Sequence, residues 1–310
     1  MKYLFIETLT ASVLLLFAVA CTQADPSPVQ GPREITVTAS FEDYPKTKTH
    51  FQDGTAVLLN VDWSAGDKIN LWYDGQSADG PFVTNESSHN ANFRGTISFA
   101  TGVTESETSG FFYTFYPYSA GNVATADGHI SSNLPGVQVA VTGNNVHDGL
   151  LLAAGRSRGL AISFHYVCSI YRFRMSMEGV SVVSFEAFNN SSVAQDVAGD
   201  FSFTFDESNL ATDYEVSSGQ KMVTILAPDG GTFVPNTWYY LTLLPGDYAS
   251  VLVKAYTGDQ VGSRPDTPDA SWAFTRGKFA AHSNLTNGSM TFETIVDAFP
   301  TTSLESVTWE

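Results

Sequence analysis

The sequence has almost no cysteine: Cys21 and Cys168 are the only two among 310 residues. Two thiols cannot build a multi-bridge scaffold, so a packed core has to hold the fold. Basic residues are also scarce, with 15 Lys and Arg against 32 Asp and Glu. The resulting net charge of −17 repels phosphate backbones and anionic lipid heads, so the sequence predicts no nucleic-acid partner. Helical spacing is missing too. No stretch of twelve or more residues repeats its apolar positions at three and four, which rules out βαβ crossovers and predicts mostly antiparallel sheets. After the first twenty residues no apolar run is long enough to cross a bilayer.

What is present begins with a sorting segment. Lys2 opens a short basic region, Leu9 to Phe17 form an apolar stretch, and Ala18-Val19-Ala20 supplies small residues for cleavage after Ala20. Residues 1–20 therefore read as a signal peptide. The next residue, Cys21, resembles the acylated cysteine of a bacterial lipobox, with Ala18 where that pattern prefers Leu and with an unusual Glu7. The resemblance implies an outer-membrane, surface-exposed lipoprotein whose only anchor is lipid at Cys21. The other reading is ordinary secretion with a coincidental cysteine. Residues 21–33 carry three prolines in TQADPSPVQGPR and read as a tether.

Period two begins at Glu34. In EITVTASF the residues Ile35, Val37, Ala39 and Phe41 share one face and Glu34, Thr36, Thr38 and Ser40 the other, as in a half-buried strand. Comparable runs, separated by turn residues, fill the rest of the chain. The glycine- and arginine-broken stretch AAGRSRGL suggests a boundary, giving β-sandwiches over 34–157 and 158–310. Within the first half, FFYTFYPY at 111–118 places six rings in eight positions. Phe111, Tyr113 and Phe115 alternate with Phe112 and Tyr116, so the segment predicts a central strand covered on both faces rather than an open stacking platform. In ISFHYVCSI, Cys168 falls on an apolar strand face and reads as an inert buried thiol.

Several of these segments together resemble the fimbrillin family of Bacteroidetes. They are Cys21 after the signal peptide, Lys46-Thr47-Lys48-Thr49 after the first strand, VDWSAGDKINLW at 61–72, FYTFYPYSA at 112–120, LPGVQ at 134–138 and YYLTLLPGDY at 239–248. The resemblance implies an all-β chain of two transthyretin-like antiparallel β-sandwich domains in tandem, without cofactor or catalysis. It also implies a subunit of a pilus or fimbrium, with other fimbrillin-type subunits as partners and a host protein or glycan as a further one. In that family a protease removes the first strand, usually after an arginine, and a neighbour's strand fills the groove. Here Arg33 stands ahead of the strand, and cutting there would discard only the tether. Removing the strand needs a cut at Lys46 or Lys48. The chain is then either an anchor or tip component that keeps Ile35, Val37, Ala39 and Phe41 in place, or a shaft subunit that exchanges them. The tail TTSLESVTWE lacks clean alternation, which leaves a donor strand there unestablished.

Catalytic patterns are weak. GRSRG at 155–159 matches G-x-S-x-G, yet that elbow requires a strand turning into a helix, and LAISFHYV after it reads as a strand. The six histidines form no close pairs of the kind that surround a metal, and no EF-hand spacing occurs in acidic loops such as Asp266 to Asp269. The competing reading from a different class is a monomeric carbohydrate-binding surface lipoprotein. It needs exposed rings, for which Trp72, Tyr73, Trp238, Tyr239, Tyr240, Trp272 and Trp309 are available. For protein sheared from cells we expect N-terminal sequencing to find no chain beginning at Thr47 or Thr49; such a start would refute a retained first strand.

Overall fold

A computed structural model describes residues 32–41, 62–99, 110–142, 146–266, 272–282, 284–286 and 290–295. Ala20, Cys21, Lys46, Lys48, Trp309 and the tail lie outside the described residues, as does Asp269. All regular elements within them are strands apart from two short 3₁₀ turns, Asp148–Leu150 and Pro228–Gly230. The chain is all-β.

The first six strands are β1 (Pro32–Phe41), β2 (Lys68–Tyr73), β3 (Gln76–Ser77), β4 (Phe82–Thr84), β5 (Asn90–Ser98) and β6 (Phe112–Tyr116). Three short strands follow, β7 (Val123–Ala124), β8 (Ile130–Leu134) and β9 (Val137–Val139), and then β10 (Ala153–Ser157) and β11 (Ala161–Tyr166). In order around the molecule, β2, β4, β5, β1, β11, β10 and β6 form a closed ring, because β6 returns to pair with β2. Two strands turn the corners. Lys68 and Ile69 of β2 pair with β4, whereas Asn70 to Tyr73 pair with β6. Likewise Ala161 to Phe164 of β11 pair with β1, and His165 and Tyr166 pair with β10. A strand that switches sheets in this way joins two packed layers at their edge.

The ring's core is aromatic. Trp63 is 1% exposed. It stacks on Phe41 at 4.1 Å and meets Phe93, Tyr116 and Phe164 edge-on at 4.8, 5.2 and 5.2 Å. Its indole N–H donates to the carbonyl of Ala39 at 3.0 Å, which satisfies the one polar group that burial would otherwise strand.

The remaining strands are β12 (Ser169–Phe173), β13 (Val182–Phe188), β14 (Ala198–Phe205), β15 (Ala211–Gln220), β16 (Met222–Leu226) and β17 (Tyr239–Leu243). After them come β18 (Gly246–Tyr248), β19 (Ser250–Tyr256), β20 (Gln260–Asp266), β21 (Trp272–Phe274), β22 (Phe279–His282) and β23 (Thr291–Thr294). A three-stranded sheet, β17-β12-β22, packs against a six-stranded one, β23-β20-β19-β13-β16-β9, through ring contacts such as Tyr171 with Phe185 at 5.0 Å. A four-stranded sheet, β15-β14-β8-β7, lies against the ring. Its Phe203 and Phe205 meet Phe115 and Tyr113 at 6.2 and 5.9 Å, so all five residues of β6 are buried. That answers the aromatic run at 111–118: its second face is covered by β14.

The sheets are mostly antiparallel, as the sequence predicts, and two features add detail to that reading. Three ladders are parallel, β1 with β11, β12 with β22 and β16 with β9. The strands in each pair lie far apart in the chain and are brought together by long returns, so no crossover helix is needed. The point between residues 157 and 158 falls in the β10–β11 connection, and both strands belong to the ring that holds β1. Conversely, β8 and β9 precede β10 yet pair with β14 and β16. The stretch AAGRSRGL carries Arg156 and Arg158, whose guanidinium carbons lie 4.7 and 4.3 Å from the Phe111 ring centre. These arginines cover a ring at a strand end.

Truncating Trp63 to Ala is expected to cost about 3–5 kcal/mol in urea unfolding, because a large buried side chain and its hydrogen bond are both lost. Phe111→Ala, at a half-buried position, is expected to cost clearly less.

Candidate functional site

The candidate site is the slot that β1 occupies. Pro32 to Ser40 pair antiparallel with Ser98 to Asn90 of β5. On the other side, only Thr38 to Phe41 pair with Ala161 to Phe164 of β11, where the Thr38 N–H also donates to the Leu160 carbonyl at 2.8 Å. The strand is therefore flanked on both sides from Thr38 to Ser40, by β5 alone over its first six residues and by β11 alone at Phe41. Ile35, Val37, Ala39 and Phe41 are 4%, 0%, 0% and 4% exposed, while Glu34, Thr36 and Thr38 face solvent. Burying Ile35, Val37 and Phe41 stabilises the strand by roughly 1.5–3 kcal/mol each. Opposite Ile35 stands Gly95, where a Cβ would come within 2.5 Å of the Phe82 ring, so the slot wall there has room for no side chain.

Arg33 pairs with Ile97 and is half-buried. The strand starts two residues earlier than the sequence pattern suggests, because Pro32 can begin a ladder without its missing N–H being needed. The bond after Arg33 consequently lies within the β1–β5 ladder. A protease would have to lift Pro32 to Glu34 off β5 before cutting.

The rings that a stacking platform would need are mostly inside. Trp72, Tyr73, Tyr239 and Tyr240 are buried, and burial raises the Tyr240 hydroxyl above its ordinary pKa while nearby Arg172 opposes that shift. Trp238 is half-buried beneath Arg172 and Arg174, at 4.3 and 5.0 Å. The Trp272 side chain lies outside the described residues.

GRSRG does not form an elbow. Gly155, Arg156 and Ser157 end β10, β11 follows directly, and the Ser157 hydroxyl accepts the Gly159 N–H at 3.1 Å. Cys168 is 3% exposed, and burial pushes its thiol far above the ordinary cysteine range, which removes the thiolate needed for reactivity. Among the described residues, no three His, Cys, Asp or Glu side chains gather where they could hold a metal, and no helix is long and apolar enough to cross a membrane.

The alternation in EITVTASF marks the buried face of β1, but the walls of the slot were missed. Their signal is present in NFRGTISF and ISFHYV, where Phe93, Ile97, Ile162 and Phe164 alternate with polar residues and are all buried. What one sequence lacks is the pairing that sets these two strands on either side of the first.

No family model and no curated protein sequence matches the chain. Solved structures with a similar strand arrangement come from Bacteroidetes. One, a candidate cell adhesion protein of Bacteroides ovatus, aligns at TM-score 0.46 with 11% identity over 86% of this chain and 97% of its own. The tip fimbrial protein Mfa3 of Porphyromonas gingivalis, with its C-terminus truncated, aligns at TM-score 0.39 with 8% identity over 85% and 99%. A fimbrial protein of Bacteroides ovatus aligns at 0.34 with 14% identity, over 82% of this chain and 48% of its own length. At these scores the similarity carries none of the functional argument, which rests on the slot and the sequence.

Val37→Asp is expected to destabilise the protein by several kcal/mol, since it buries a charge without a partner, whereas Thr36→Asp on the solvent face stays within about 0.5 kcal/mol of the parent. Paired denaturant curves of the two variants check this. In residues 22–310, which contain one cysteine, Cys168 is expected to react with a thiol reagent at pH 8 only after guanidinium is added.

Proposed function

We propose that this chain is a structural and adhesive component of a surface fimbrium, held at the outer membrane by lipid on Cys21 and joined to neighbouring subunits by strand complementation at the β1 slot. One observation carries the reading: an amphipathic ten-residue strand at the start of the described chain fills a gap between β5 and β11. Its departure would leave two rows of backbone donors and acceptors and the pockets of Ile35, Val37 and Phe41 in water. A strand from another copy would recover both contributions. The sequence resemblance to fimbrillins supports the same reading.

Processing decides the role of each copy. A chain that keeps β1 has its slot filled and acts as an anchor or terminal subunit; cleavage at Arg33 would release it from lipid without opening the slot. A chain cut at Lys46 or Lys48 could lose β1 and accept a neighbour's strand. Pairing of Arg33 with β5 favours retention of the lipid tether, because the arginine is not presented as a free extended segment.

The test is complementation. Residues 49–310, produced without β1, are expected to bind a synthetic peptide of residues 32–41 one to one and to melt at higher temperature with it; a peptide carrying Val37→Asp and Ala39→Asp should fail. A truncated chain as stable as the parent and indifferent to peptide would sink the proposal. On cells, electron microscopy should show filaments with the parent and detached material with Cys21→Ala, and filaments absent from both would overturn the fimbrial assignment.

A further inference from the structure

A cavity of about 630 Å³ opens where the ring meets the four-stranded sheet, at a distance in the fold from the β1 slot. Its apolar wall includes Phe115 of β6, Leu152 and Phe201 of β14. Its polar wall is built from amides and hydroxyls. Asn122, 8% exposed, donates through Nδ2 to Asn70 Oδ1 at 2.8 Å and to the Pro117 carbonyl at 3.1 Å, and its Oδ1 accepts the Ser132 hydroxyl at 2.9 Å. Asn70 in turn accepts the Ser119 N–H and donates to the Ser119 carbonyl. The turn leading from β6 to β7 is thereby held in one geometry before any ligand arrives.

At the rim, Asn133 of β8 donates to Asp200 of β14 at 2.6 Å, across a paired position of the two strands. That bond leaves a second amide proton and the amide oxygen on Asn133, and the other carboxylate oxygen on Asp200, facing solvent. Ser217 joins them from β15. It is the extra residue of a bulge, since Val216 pairs with Phe201 and Ser218 with Asp200. Bulges commonly re-aim a side chain at a functional surface.

This donor and acceptor set selects a chemical class. Among the described residues Asp200 is the only ionisable one in the lining, so an anion finds no counter-charge there and meets the field of a chain with net charge −17. The accessible lining is mostly neutral hydroxyls and an amide, from Ser131, Asn133, Ser202 and Ser217, while Phe115, Leu152 and Phe201 lie buried behind them. A pyranose offers matching groups, because each hydroxyl both donates and accepts. The volume falls in the range of small-ligand sites. We propose that the seam cavity binds a neutral saccharide of one or two hexose units. This site is separate from the buried rings considered above and does not depend on strand exchange.

The experiment uses residues 22–310 and saturation-transfer NMR, followed by calorimetry, with glucose, galactose, mannose, N-acetylglucosamine, lactose and maltose as probes and with glucuronate and choline as controls. At least one neutral sugar is expected to bind with Kd near or below about 1 mM. Asn133→Ala and Asp200→Ala, both at exposed positions, are expected to weaken it about tenfold without changing the melting temperature. Ser217→Trp is expected to block it. The proposal is overturned if no neutral sugar binds, if the affinity survives both Asn133→Ala and Asp200→Ala, or if glucuronate or choline binds as tightly. Should Ser217→Trp fail to fold, the two rim variants decide alone. Loss of filaments on cells would leave this result untouched.

Discussion

Backbone amides that face a gap inside a sandwich need partners, and in this chain β1 supplies them to two strands at once. β5 runs antiparallel to it over nine residue pairs, and β11 runs parallel over four. The same strand carries Phe41 into the stack with Trp63, whose indole N–H is bonded back to Ala39. Hydrogen bonding and aromatic packing therefore converge on residues 39–41. Removing them would open the ring between β5 and β11 and uncover the most tightly packed ring cluster of the first strands.

The ring is not equally open to exchange all round. β6, across from β1, is buried on both faces because Phe203 and Phe205 of β14 cover Phe115 and Tyr113. Losing β6 would break two interfaces together. β1 has one face in the core and the other in solvent, where Glu34, Thr36 and Thr38 stand. Its first six residues have a neighbour only on the β5 side. Peeling can start from that end with only the β5 ladder opposing it, and meets resistance from both neighbours at Thr38. This gradient along one strand is what the proposed exchange would use: a copy would hold the strand stably until something displaced it from the weaker end.

How much of this was legible depended on range. The buried face of β1 could be read because EITVTASF alternates sharply between apolar and polar residues, and such alternation needs no knowledge of partners. The burial of FFYTFYPY on both sides followed from rings at consecutive positions. Strand order did not follow. The parallel neighbour of β1 is β11, and nothing local in ISFHYV announces that it returns to the first strand. In the GRSRG stretch glycine and charge are ordinary linker signals, and the placing of Arg156 and Arg158 over Phe111 is a contact visible only after folding. The seam cavity escaped for a related reason. Its rim residues Asn133, Asp200 and Ser217 come from three strands and carry no spacing pattern, so their juxtaposition is a product of register and of a bulge.

Under the proposed strand complementation, the other free edges must stay unattractive. β15 is the longest candidate, ten residues paired only with β14 among the described residues and largely exposed. Left flat and apolar, such an edge would recruit any extended segment nearby. Instead it carries Asp213 and Glu215, adds to the repulsion of a strongly acidic surface, and is kinked by two irregularities in its register with β14. Asp213 itself sits at φ 51, a conformation that interrupts a regular ladder. β7, at the opposite edge of that sheet, is two residues long and too short to template a partner. With these edges blunted, the proposed strand addition would be directed to the gap between β5 and β11, where the pockets for Ile35, Val37 and Phe41 would set the register that an incoming strand has to match.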